Sequence, residues 1–155
     1  MNISVIGGYK CSKKSYAAAQ KLGRLIAQQG WILICGGGSG VMEAAAKGAK
    51  SAAGTTVGIL PSYDTGTAND YLDIKIPTGL GYARNILVVR AGAAVVAVDG
   101  AYGTLSEIAF ALNEKIPVYG IDTWGIDGII KAKSPQDAVE KIKKRLANKG
   151  VRVNK

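Results

Sequence analysis

The chain has no histidine, only two cysteines and a single phenylalanine in 155 residues. Without histidine there can be no Ser-His-Asp or Cys-His triad, no histidine general base and no histidine-containing zinc site. Cys11 and Cys35 are too few for a four-cysteine zinc or iron–sulfur centre, so no metal ligand set is expected. Both fall after expected strands and could approach each other, but two inert reduced thiols are the expectation for a cytosolic α/β protein. The longest apolar runs are interrupted, for example by Arg90, so no transmembrane helix fits. Met1 to Ile6 reads as a first strand and lacks the charged start and cleavage site of a signal peptide, which makes a cytoplasmic protein the simplest expectation.

Acidic residues are missing from the last 15 positions. There Lys141, Lys143, Lys144, Arg145, Lys149, Arg152 and Lys155 carry +7 of the net +9. The cationic excess is therefore a C-terminal patch, including a basic tail at 147–155, and not a groove lining the molecule. Basic residues late in a helix complement its dipole and keep an outer face soluble, which accounts for the patch without a ligand. A weak nucleic-acid contact there is the competing reading and is not favoured.

What the chain does have is alternation. Runs rich in Val and Ile lie near residues 2–7, 31–35, 55–60, 72–76, 93–98 and 117–121. Helical patterns separate most of them. Ala18, Leu22, Leu25 and Ile26 form one apolar face closed by Gly30 at a C′ position, and Val41 to Ala53 is alanine-rich. Ser134-Pro135 starts a last helix along which Ala138, Ile142 and Leu146 recur every four residues. This pattern predicts a Rossmann-like α/β fold, a three-layer αβα sandwich with a mostly parallel sheet. No linker or repeat divides the chain, so residues 1–155 are expected to form a single domain.

Ligands of such sheets bind at the carboxyl ends of the strands, where this chain places three glycine-rich turns. Gly7-Gly8 follows the first strand and precedes Lys10, Lys13 and Lys14. Gly36-Gly37-Gly38-Ser39-Gly40 follows the second, and Gly100-Ala101-Tyr102-Gly103-Thr104 follows the run ending at Val98, with a helix expected to open near Leu105. Strand, glycine turn and helix N-terminus together offer unpaired N–H groups and partial positive charge to an anion. Neither a Walker loop nor a faithful GxGxxG fingerprint is present, since no Gly-Lys-Ser/Thr follows Gly40 and Glu43 stands where the third glycine would be. A phosphorylated ligand held mostly by backbone is the expectation, against a purely structural use of the glycines. Ser39 is placed to cap a helix or donate a hydrogen bond. The polar stretch 61–71 is either a lid or a surface connection.

Gly36 to Gly40, Met42, Gly79-Leu80-Gly81-Tyr82-Ala83-Arg84-Asn85 and Tyr102-Gly103-Thr104-Leu105-Ser106-Glu107 together resemble the LOG (lonely guy) superfamily. Its members were long labelled possible lysine decarboxylases. The branch this chain most resembles holds the molybdenum-cofactor carrier proteins, and the likeness runs from Ile3 to about Leu146. The resemblance implies a Rossmann-like homodimer or homotetramer. For LOG enzymes it implies hydrolysis of the N-glycosidic bond of cytokinin nucleoside 5′-monophosphates. Carried over residue by residue, Glu107 and Arg84 match the catalytic pair, and Gly103 and Thr104 match the phosphate-binding Gly-Thr. A carboxylate near C1′ stabilises oxocarbenium character or positions water, and an arginine clamps phosphate. The sequence departs from the family pattern at Asp99-Gly100-Ala101, where LOG enzymes have Pro-Gly-Gly, and at Ala83-Arg84-Asn85, where they have Glu-Arg-Lys. Ala101 is less tolerant of positive φ than glycine, and Asp99 would repel phosphate unless it bonds a hydroxyl or a cation.

Local readings compete. Thr104 to Glu107 has the sequence of a capping box. Tyr82 and Tyr102 either stack on a base or pterin, or simply pack. Arg90 lies more than a turn beyond Arg84 and points elsewhere. The apolar run Ile86 to Val89 fits burial on two sides, against the core and a second subunit. Three functions follow: a carrier of a nucleoside 5′-monophosphate or molybdopterin-type cofactor, a phosphoribohydrolase, and, well behind, a nucleic-acid binder. Nothing marks a pyridoxal-phosphate site for lysine decarboxylation.

Overall fold

The computed structural model describes the backbone of residues 1–150 and the side chains of residues 1–148. Lys149, Arg152 and Lys155 of the basic tail lie outside the described side chains. Seven strands form one sheet in the order β4-β3-β2-β1-β5-β6-β7. They are β1 (Asn2–Gly7), β2 (Ile32–Cys35), β3 (Thr56–Leu60), β4 (Ile74–Pro77), β5 (Ala94–Val98), β6 (Val118–Ile121) and β7 (Ile130–Lys131). Every pairing is parallel. The expected fold class is the one observed. β7 was not legible in the sequence because two residues show no periodicity.

Five helices cover the sheet: α1 (Lys13–Gln28), α2 (Val41–Lys50), α3 (Asn85–Arg90), α4 (Tyr102–Asn113) and α5 (Pro135–Gly150). The two-residue period of β5 shows how the layers divide. Ala94, Val96 and Val98 join the core under α1, α2 and α5, while Val95 and Ala97 join the core under α3 and α4. Burial on both faces is why the strands read as continuous apolar runs. The edge strands are exceptions: all four residues of β4 are exposed and neither residue of β7 is buried. No helix among the described residues is long and apolar enough to cross a membrane.

Strand order positions the site. The chain moves outward from β1 through β2, β3 and β4, then returns to place β5 on the other side of β1. The connections after β1 and β5 therefore diverge and leave a crevice at the carboxyl edge, the switch point where open α/β sheets bind ligands. Gly30, with φ +69°, ends α1 as the sequence predicts.

One local expectation changes. α4 opens at Tyr102, not near Leu105, so Thr104 is its third residue and no capping box forms. Thr104 and Glu107 both turn inward and are buried. Along α3, Val88 and Val89 are buried but Leu87 stays 39 % exposed, so one side of the helix meets the core.

Candidate functional site

A cavity of about 470 Å³ opens at the switch point. It is lined by Gly7 and Gly8, by Gly36 to Gly38, by Arg84, and by Gly103, Thr104 and Glu107, all singled out from sequence. Ser39, Gly40, Gly100 and Tyr102, singled out with them, do not line it. Ser39 does not cap α2. Its hydroxyl donates to the Tyr9 carbonyl at 2.9 Å, and the N-cap of α2 is Gly40. A Cβ on Gly100 would meet the Thr104 side chain at 2.5 Å, so Gly100 lets α4 begin where it does. Tyr102 is 81 % exposed and lies near Trp124, with ring centroids 6.1 Å apart.

The two later glycine turns differ as anion sites. The first N–H of α2, on Val41, donates to the Gly8 carbonyl at 3.1 Å. α4 instead has Ala101 at its N-cap, whose methyl group cannot cap, and its first intrahelical bond is Leu105 N–H to the Ala101 carbonyl at 3.0 Å. The amides of Gly103 and Thr104 precede that bond, and both residues line the cavity. Unpaired first-turn amides and the positive dipole end are groups to which an anion is attracted.

Asp99 does not oppose an anion there. It is no part of the lining, and its carboxylate accepts from Ser15 Oγ and from the Gly100 amide, both at 2.8 Å. Nor does Ala101 carry a backbone penalty, since its φ is −109°. The left-handed conformation falls on Asp99 and Gly100, at φ 55° and 118°. Aspartate tolerates it because its side chain bonds the next amide.

A side chain on any of Gly36 to Gly38 would crowd the protein's own side chains, and Gly37 also has a left-handed φ of +77°. A Cβ on Gly36 would stand 2.6 Å from Arg84 Nη2, and one on Gly37 would strike Leu60. On Gly38 it would stand 2.8 Å from Tyr9 Cε2 and 3.0 Å from Met42 Cε. Segment 61–71 is tied to the same loop. Asn69 donates through its side chain to the Gly38 carbonyl at 2.9 Å and through its backbone to the Gly37 carbonyl at 2.9 Å. Pro61 and Thr67 of that segment reach the lining. Tyr9, Met42, Leu60, Asn69 and Asn85 are thus site residues that the sequence reading did not name as such. Tyr9, directly after Gly7-Gly8, was the one most open to being found. Asn69 meets a loop some 30 residues away, and no local signal marks it.

Arg84 and Glu107 come together from a 3-10 turn (Gly81–Arg84) and α4, with Nη1 3.8 Å from Oε1. Arg84 spends its hydrogen bonds elsewhere, Nη1 to Asn85 Oδ1 at 2.6 Å and Nη2 to the Gly36 carbonyl at 3.2 Å. Its Nε is buried without a partner. Burial pushes the Glu107 carboxyl up to about 7, and the Arg84 charge only partly opposes this. Burial lowers the Arg84 guanidinium, while Glu107 works the other way. Cys35 is buried and its thiol is pushed up to about 11 by burial, so it is inert. Cys11 is free too. Arg90 is placed apart from the site, paired with Glu114 at 2.6 Å. In the basic C-terminal helix Lys141 is engaged locally, 2.8 Å from Asp137.

The chain has a Rossmann-like fold with a cavity at the β1/β5 switch point. Over residues 1–150 the sequence matches the model of the SLOG cluster4 family, and the chain belongs to that family. The molybdenum cofactor binding protein of Rippkaea orientalis superposes with a TM-score of 0.90 at 39% identity, over 94% of this chain and 96% of that one. The Moco carrier protein of Chlamydomonas reinhardtii gives 0.86 at 38% identity, over 95% and 98%. The cytokinin riboside 5′-monophosphate phosphoribohydrolase of Mycobacterium tuberculosis is 30% identical over 122 residues, 72% of this chain and 65% of that protein. The likeness is thus LOG-like, on the branch of the Moco carrier proteins.

Proposed function

We propose that this chain, as one cytoplasmic domain, binds a phosphorylated heterocycle and carries it without breaking it. The ligand class is a nucleoside 5′-monophosphate or a molybdopterin-type cofactor. The observation that carries this reading is the N-terminus of α4, which has no side-chain cap and whose Gly103 and Thr104 line a cavity of about 470 Å³. A phosphate monoester would sit at the Gly103 and Thr104 amides, within reach of Arg84, whose buried Nε lacks a partner. A molybdopterin-type ligand fits this donor set through its phosphate and its ring. No cysteine or histidine lines the cavity to take up a metal. The names of the Rippkaea and Chlamydomonas proteins support the same class. Leu80, Tyr82 and Leu87, exposed on and beside the 3-10 turn and α3, favour self-association as a homodimer or homotetramer.

One observation favours a second reading, a phosphoribohydrolase. Glu107 is a buried carboxyl at the cavity, pushed up to about 7, close to the range of a general acid or base. The mycobacterial relative's name agrees with it. Against it, Arg84 is held by Asn85 and Gly36, not by the carboxylate.

The test is chromatography for free base after long incubation with AMP and a panel of other nucleoside monophosphates, with thermal shifts on the same samples. A carrier gives a thermal shift that survives Glu107→Gln and releases no base. Base release abolished by Glu107→Gln replaces the carrier reading with the hydrolase.

A further inference from the structure

We propose that Tyr9 is the platform on which the ring of the ligand stacks, and so the residue that distinguishes a heterocycle from a bare sugar phosphate. The proposal rests on the phosphorylated-ligand reading of the same cavity.

The cavity wall is graded along three consecutive glycines. Gly36 meets the guanidinium of Arg84 and the sulfur of Met42, Gly37 meets Leu60, and Gly38 meets Tyr9 and the Met42 methyl. Polar groups thus gather toward Arg84, Thr104 and Glu107 and the aromatic ring lies toward Gly38, with Met42 spanning the two ends. A ligand with an anionic end and a flat apolar end has one orientation that satisfies both, with phosphate on α4 and ring beside Gly38.

Tyr9 is held there by the loop. The Cδ2–Cε2 edge of its ring lies over Gly38, and Ser39 Oγ donates to its carbonyl at 2.9 Å. Gly38 has no left-handed φ to explain its lack of a side chain. What excludes a Cβ is contact with Tyr9 and Met42. Yet the ring is 62 % exposed while lining the cavity. An aromatic edge lying beside backbone, with most of the ring left open beside a cavity, has the form of a stacking surface more than of a core side chain. Tyr82 lines the cavity too but is 87 % exposed, with no such fixation of its ring.

Calorimetry compares ring-bearing probes (AMP, GMP and a pterin phosphate monoester) with ribose 5-phosphate, which lacks the ring. The wild type should bind at least one ring-bearing probe more tightly than ribose 5-phosphate. Tyr9→Ala should weaken that probe by about 5- to 100-fold, the range of base–aromatic stacking, and leave ribose 5-phosphate unchanged. Tyr9→Phe should behave as wild type. Equal affinity of the wild type for both kinds of probe, no loss in Tyr9→Ala, or equal loss for both probes overturns the stacking role alone. No binding of any probe to the wild type, or ribose 5-phosphate affinity unchanged by Thr104→Val, overturns the site reading and this inference with it.

Discussion

Arg84 and Glu107 lie 3.8 Å apart in the cavity wall, yet the guanidinium donates to Asn85 and to the Gly36 carbonyl and not to the carboxylate. A buried carboxylate without a close donor loses more by desolvation than a charge at that distance returns. The Glu107 carboxyl is therefore pushed up to about 7, with consequences for stability.

Folding raises this carboxyl from 4.5 to about 7, so between those values the folded chain holds a proton that the unfolded chain has lost. Stability must then fall as pH rises from about 5 to 7, by roughly 2–3 kcal/mol from this group, and level off above. Glu107→Gln is expected to flatten that part of the profile and to be more stable than wild type at pH 8. Urea midpoints from pH 5 to 8.5 measure both; a wild-type profile no steeper than that of the variant counts against the shift.

Asn85 links the arginine to the anion cradle. Its Oδ1 accepts from Arg84, its Nδ2 donates to Ser106 Oγ at 3.0 Å, and Ser106 Oγ donates to the Gly103 carbonyl at 2.7 Å. Asn85 is 4 % exposed. Asn85→Ala should cost about 1–3 kcal/mol of stability and weaken ribose 5-phosphate binding. It also frees Arg84 to approach Glu107, so the pH-dependent loss of stability should move to lower pH. An unmoved profile would mean Arg84 is held by Gly36 alone.

Gly36→Ala tests the fit of Arg84 on the loop. The new methyl would lie 2.6 Å from Nη2 and 2.8 Å from Met42 Sδ, which overpacks the site. A loss of about 1–3 kcal/mol is expected, with weaker phosphate binding. Gly30→Ala is the control, because nothing lies within 4 Å and only its φ of +69° resists. It should cost about 1 kcal/mol and leave binding intact. Comparable binding by both variants would separate the loop from the anion site.

Asn69→Ala removes the side-chain bonds from segment 61–71 to the Gly37 and Gly38 carbonyls, at 3.2 and 2.9 Å. Faster amide exchange at residues 62–71 is the expected result, with little change in β3 or β4. Unchanged exchange would show that the backbone bond from Asn69 to Gly37 suffices.

The local grammar of the chain settled its class. β-branched runs alternating with amphipathic segments at these lengths pack only as a parallel sheet between helices, so strand positions and the three glycine turns could be read directly. Gly30 behaves as read, because a C′ glycine depends on its own backbone alone. Other features waited for the tertiary structure. The start of α4 was misplaced because Ala101 and Tyr102 bear no capping signal. The glycines of 36–38 suggested phosphate, but which atoms approach them depends on Arg84, Leu60 and Tyr9, residues from other parts of the chain. The same holds for Glu107. Its sequence neighbours offered a capping box, and only the packing of α4 buried its carboxyl beside an arginine already committed to Asn85 and Gly36. Periodicity and turn chemistry are properties of short segments and survive in the sequence. Burial and hydrogen-bond partnership are relations between distant segments, and they exist only once the chain has folded.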